Sequence, residues 1–190
     1  MNSLSAWFDK WLLSVNVEKS AVMVLHSPRS QPVEVAVSLN GQLIPQVSTH
    51  KHLGLTFNDT LTWDDHVGVV VAKAARRIGL LRRYRKQLPP LSIRYVYCSS
   101  IRPVLEYASI AWCGLSKTAA ERLERIQRRA ARLISGIPTA NDTPHEIILA
   151  RAGLAPLTAR RLLELAVFGF KFVRHISIPN HLLDSCTHRS

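Results

Sequence analysis

The sequence predicts an α+β fold in which one N-terminal helix and a small antiparallel sheet are followed by a mainly α-helical bundle. Three observations carry that prediction. The pair Asn40-Gly41 separates two apolar runs, the signature of a hairpin whose turn residues take positive φ. At Trp63 the apolar pattern changes from alternation to a helical period. Beyond that point Pro89-Pro90, Gly136 and Pro138 punctuate stretches of helical length.

Leu4, Trp7, Phe8, Trp11, Leu12 and Val15 share one face of a first helix that ends near Asn16. Both tryptophans are therefore expected in the core. The β-branched run 21–25 reads as a strand. Val33, Val35, Val37 and Leu39 alternate up to the turn, residues 43–47 make the return strand, and residues 52–57 add a further extended segment.

In the helical part, Val67, Val70, Val71, Ala74, Ile78 and Leu81 form a stripe running toward Pro89-Pro90. A second helix is expected over 92–112, kinked at Pro103, with Trp112 in the core. A third starts at Thr118 with Glu121 as a capping box and stops at Gly136. A second capping box, Thr143 with Glu146, opens a short helix to Ala152, and a last helix covers 156–175. The tail, with His181, Cys186 and His188, reads as loosely held.

Charge divides the chain into three parts. Residues 1–62 hold 4 basic and 4 acidic side chains, residues 63–138 hold 15 and 5, and residues 139–190 hold 6 and 4. The formal net charge of +12 is thus concentrated in the middle, which points to a polyanionic partner, nucleic acid ahead of membrane. On the third helix Leu123, Ile126, Gln127, Ala130, Leu133 and Ile134 share one face, while Arg122, Arg125, Arg128, Arg129 and Arg132 cover the other. Lys73, Arg76 and Arg77 add to the same field, with Arg82, Arg83 and Lys86 beyond them. The alternative for all of them is a solvated surface.

Other chemistry finds little support in the sequence. Cys98, Cys113 and Cys186 lack the spacing of a zinc site or disulfide framework, so no metal is expected and a reducing compartment is. No apolar run reaches the roughly 18 residues of a membrane span, and Asp9 and Lys10 interrupt what a secretory leader would need. A cytoplasmic or nuclear location is expected, without membrane. No Ser-His-Asp, Cys-His or glycine-rich phosphate loop stands out. Asp64-Asp65, next to Trp63, reads as acids placed at a helix start.

Four motifs then stand in order: WFDKWLLSVNVEKS from Trp7, KHLGLTFND from Lys51, IRPVLEYASIAW from Ile101 and LERIQRRAARLI from Leu123, with Trp63 and His66 between the second and third. Together they resemble the C-terminal half of the reverse transcriptase of LINE-type, non-LTR retrotransposons, the jockey-like elements especially. The resemblance implies that 1–62 is residual palm and primer grip, that 63–138 is a thumb-like bundle, and that 139–190 is a helical extension. It places Lys19 near an incoming nucleotide, with Ser20 where the family has Thr. It also makes Leu53-Gly54 part of the primer-grip hairpin, with His52 where an aromatic is usual.

The implied partner is an RNA or DNA template–primer duplex, held through the thumb helices. Family polymerases use magnesium bound by an aspartate and an aromatic-Ala-Asp-Asp turn, and the chain contains neither. The expectation is a noncatalytic fragment of such an element, without a cofactor of its own, acting with the missing palm of an intact element. A helical protein-interaction module derived from a mobile element is the alternative.

Overall fold

The computed structural model describes residues 2–39, 41–138 and 142–174, with side chains described from Ala6 onward. Asn40 and the tail positions His181, Cys186 and His188 lie outside the described residues. The chain divides into two compact units, Met1–His66 and Val67–Ser190.

The first unit begins with helix α1 (Asn2–Lys10) and a single 3-10 turn (Val17–Lys19) capped by Asn16, whose Oδ1 accepts from the Lys19 N–H at 3.1 Å. Strands β1 (Val37–Leu39) and β2 (Gln42–Ile44) form one antiparallel hairpin, and β3 (Thr49–His52) and β4 (Leu55–Asn58) form another. Two separate two-stranded sheets thus replace the single small sheet expected, within the same α+β class. The segment read as one extended piece over 52–57 is the second hairpin. Its loop is Leu53-Gly54, at φ 46° and 85°, and two positive φ values in a two-residue loop match the right-handed twist of the flanking strands. Residues 21–25 supply only a parallel bridge from Val22 to Gln46.

The expectation that Trp7 and Trp11 are core residues fails. They are 50% and 60% exposed and lie against each other, ring centroids 6.3 Å apart. The helix stops at Lys10 instead of Asn16, and Leu12 turns the chain at φ 53°, so its apolar stripe is cut short before it reaches a sheet to cover. Trp63 does pack, half-buried against Phe57 at 5.3 Å and beside His66 at 6.2 Å. His66 is buried, and its Nδ1 accepts from the Thr56 N–H at 3.3 Å.

The second unit is helical. Helix α2 (Asp64–Arg83) enters it from the first unit and buries Val67, Val70, Ala74, Ile78 and Leu81. The helix expected over 92–112 is instead α3 (Pro90–Val96), a π turn (Tyr97–Ile101) and α4 (Arg102–Glu106). Pro103 has no N–H for the preceding turn, and the π turn just before it absorbs that loss. Trp112 is fully buried, its indole N–H donating to the Tyr107 carbonyl at 2.9 Å.

Helix α5 (Lys117–Ser135) packs on α3, α6 (His145–Ala152) and α7 (Leu157–Val173). Its cap is Ser116, whose Oγ accepts from the Ala119 N–H at 3.1 Å, and not Thr118. The Thr143–Glu146 box is likewise not formed, because Pro144 precedes α6 without a side-chain cap. Gly136 and Gly153 end α5 and α6 at φ 73° and 64°, the left-handed cap that glycine permits.

Candidate nucleic-acid interface

A Cβ at Gly68 would stand 3.4 Å from the Arg122 guanidinium, and one at Gly136 would stand 3.7 Å from that of Arg85. The first turns of α2 therefore lie near the first turns of α5, and the ends lie near the ends. The two basic helices run side by side in the same sense, with long side chains between them.

The five arginines of α5 divide into two groups. Arg125 and Arg129 are exposed and, among the described residues, form no hydrogen bond or ion pair. The others are half-buried and engaged. Arg128 donates from Nη2 to Glu121 Oε1 and from Nε to His145 Nδ1, both at 3.2 Å. Arg132 donates to the Pro138 carbonyl at 2.5 Å, and Arg122 lies over Gly68. The buried arc of α5 is wide enough to include Glu124 and Ala131, with Leu133 only half-buried, and that width draws Arg128 and Arg132 toward the packing edge. On α2, Lys73 and Arg76 are exposed and, among the described residues, unpaired, whereas Arg77 donates to the Ser100 carbonyl.

Three acids of this part of the chain are committed elsewhere. Glu106 binds Arg160 with both oxygens and stands 3.6 Å from Arg102, and the bond to Glu106 raises the Arg160 pKa against the opposing effect of burial. Glu121 holds Arg128. Glu124, buried, accepts from the Thr158 N–H at 2.9 Å and so caps the start of α7. His145 accepts from Arg128 on Nδ1, so its proton sits on Nε2, 3.7 Å from Glu124 Oε2.

Sequence reasoning missed these buried polar links. Tyr97 donates from its hydroxyl to Gln127 Oε1 at 2.6 Å, and the Gln127 amide donates to the Ala155 carbonyl at 2.8 Å. Burial pushes the Tyr97 phenol well above its ordinary range. Arg161 covers the Trp112 ring at 3.9 Å and donates to the Trp112 carbonyl at 2.8 Å, and burial lowers its pKa. The one available signal was Gln127 within an otherwise apolar stripe.

In the first unit, Lys19 is exposed at the end of its 3-10 turn, and Leu53-Gly54 form the exposed hairpin tip. Asp64 and Asp65 do not fit a two-ion magnesium site. They are successive residues at the start of α2, pointing about 100° apart, and Asp65 Oδ2 already accepts from the Asn58 amide at 3.1 Å. Among the described residues no helix is long and apolar enough to cross a membrane.

The chain is similar to polymerases of mobile elements. It is 27% identical over 143 residues to the probable RNA-directed DNA polymerase from transposon BS of Drosophila melanogaster, a match covering 73% of the chain and 16% of that relative. To the RNA-directed DNA polymerase from mobile element jockey it is 28% identical over 143 residues in Drosophila melanogaster and 26% over 142 in Drosophila funebris, each covering 73% of the chain and 15% of the relative. These homologues are jockey-type, non-LTR retrotransposon polymerases, the group whose motifs the sequence resembles. The chain spans about a sixth of the length of the curated relatives it matches. No family model and no solved structure matches.

Proposed function

We propose that the helical unit holds the phosphates of a nucleic-acid duplex along α2 and α5, as the thumb of a reverse transcriptase would, and that the chain alone is noncatalytic. The observation that carries this reading is the separation of charges within the unit. Glu106, Glu121 and Glu124 are bound internally, while Lys73, Arg76, Arg125 and Arg129 are exposed without partners among the described residues. Unpaired guanidinium and ammonium groups on parallel helices suit a template–primer backbone, which they would position without reading bases. The similarity to RNA-directed DNA polymerases supports the same partner class. Leu53-Gly54 at the hairpin tip and Lys19 keep the roles the resemblance implies, near the primer end and the incoming nucleotide.

Fluorescence anisotropy with a labelled hybrid duplex tests the proposal. Arg125→Ala/Arg129→Ala should weaken binding and leave the unfolding free energy within about 0.5 kcal/mol of the parent. Arg128→Ala should instead lower stability, since it strips Glu121 and His145 of a partner. If the double variant binds as the parent does, the reading is wrong. Magnesium-dependent primer extension by the chain alone would contradict the noncatalytic half.

A second reading draws on α7, where Leu162, Leu163, Phe170 and Val173 are all more than half exposed. Apolar residues left open on a helix favour a protein partner, and loss of partner binding in Leu162→Glu with duplex binding intact would support it.

A further inference from the structure

We propose that the hollow between the end of α2 and the π turn takes an unpaired nucleobase from a single-stranded extension of the duplex. This rests on the phosphate-binding reading above. Lys73, Arg76, Leu80 and Tyr84 follow one another at helical spacing and share a flank of α2. Tyr84 lies one residue past the helix, and its N–H still donates to the Leu80 carbonyl at 3.4 Å. Along that flank two unpaired cations give way to an apolar and then an aromatic side chain. Leu80 and Tyr84 are 62% and 48% exposed and open onto a cavity of about 660 Å³.

The chemistry of the cavity selects its occupant. Leu81, Val96, Ile101 and Pro103 make apolar walls, and Tyr84 offers a ring face on which any base can stack. Gln87, on the rim, is exposed and has an amide with no intramolecular bond among the described residues. That amide can both donate to and accept from a base edge. Arg77 is fixed on the Ser100 carbonyl, which ties α2 to the exposed lip of the π turn. No carboxylate lines the cavity, which disfavours a cationic ligand. The cations leading to it suit the phosphates of a strand better than they suit an uncharged apolar helix.

Anisotropy with the full chain separates this pocket from the duplex surface, using three labelled probes: a blunt duplex, the same duplex with a four-nucleotide extension, and one with an abasic extension. The extension carrying bases should tighten binding about five-fold or more over blunt duplex, the scale of one stacked base. The abasic extension should not match it. Tyr84→Ala should erase the gain while blunt-duplex affinity holds, Tyr84→Phe should keep it, and Gln87→Ala should reduce it. Equal binding of abasic and base-bearing extensions, or a full gain in Tyr84→Ala, overturns the pocket. Loss of blunt-duplex binding in Arg125→Ala/Arg129→Ala bears on the phosphate surface alone, so the two readings fail separately.

Discussion

Gln127 joins three parts of the helical unit, since it accepts from Tyr97 in the π turn and donates to Ala155 before α7, with both side chains fully buried. Gln127→Leu leaves the Tyr97 hydroxyl and the Ala155 carbonyl without partners, at a cost of about 1–3 kcal/mol, measurable by urea unfolding. Tyr97 links that same bond to pH. Its folded pKa is raised, by burial first, so the stability it provides is complete below the unfolded phenol value of about 10 and is lost as pH rises beyond it. Tyr97→Phe should therefore show a shallower loss of stability above about pH 10 than the parent, alongside lower stability at neutral pH. The sequence placed Gln127 on the buried face but could not name its partners, which come from residues 30 and 28 positions away. The same holds for Arg128. Helical periodicity put it opposite the core, whereas its position at the edge of a wide buried arc lets it reach His145 on the next helix.

At the scale of elements, most of the helices were legible because each carries its own apolar stripe and its own stop. α5 ends on the glycine expected of it, and α6 ends at Ala152 as expected. The starts were less legible. Ser116 and Thr118 both precede the apolar run, and only the backbone path decides which hydroxyl meets a free N–H. Ser116→Ala should cost about 1 kcal/mol and Thr118→Ala much less, read by thermal unfolding of the two variants. The strands were harder to place, because several pair over only three or four residues and local alternation does not reveal where pairing stops. Leu53-Gly54 shows the difficulty, since a leucine at φ 46° is a turn residue that local preference would not choose. The π turn before Pro103 had only its proline as a signal.

Across the whole molecule, burial is uneven. Among the described residues of Met1–His66 only Leu39, Leu55 and His66 are buried, while the second unit buries Tyr97, Ile101, Leu105, Trp112, Leu123, Ile148 and Leu149 among others. Amide protons of the first unit should accordingly exchange faster than those of α5, and equal protection measured by mass spectrometry would contradict this. The charge division was legible from composition alone, because acids and bases could be counted by segment. Which cations stay free was not, because it depends on where the acids land after folding. The salt dependence of duplex affinity counts those free cations. If Lys73, Arg76, Arg125 and Arg129 neutralise about four phosphates, log affinity should fall with log salt at a slope of roughly −3 to −4, and replacing Arg125 and Arg129 by alanine should reduce its magnitude by about 2. A slope that is the same in parent and double variant would mean that Arg125 and Arg129 touch no phosphate.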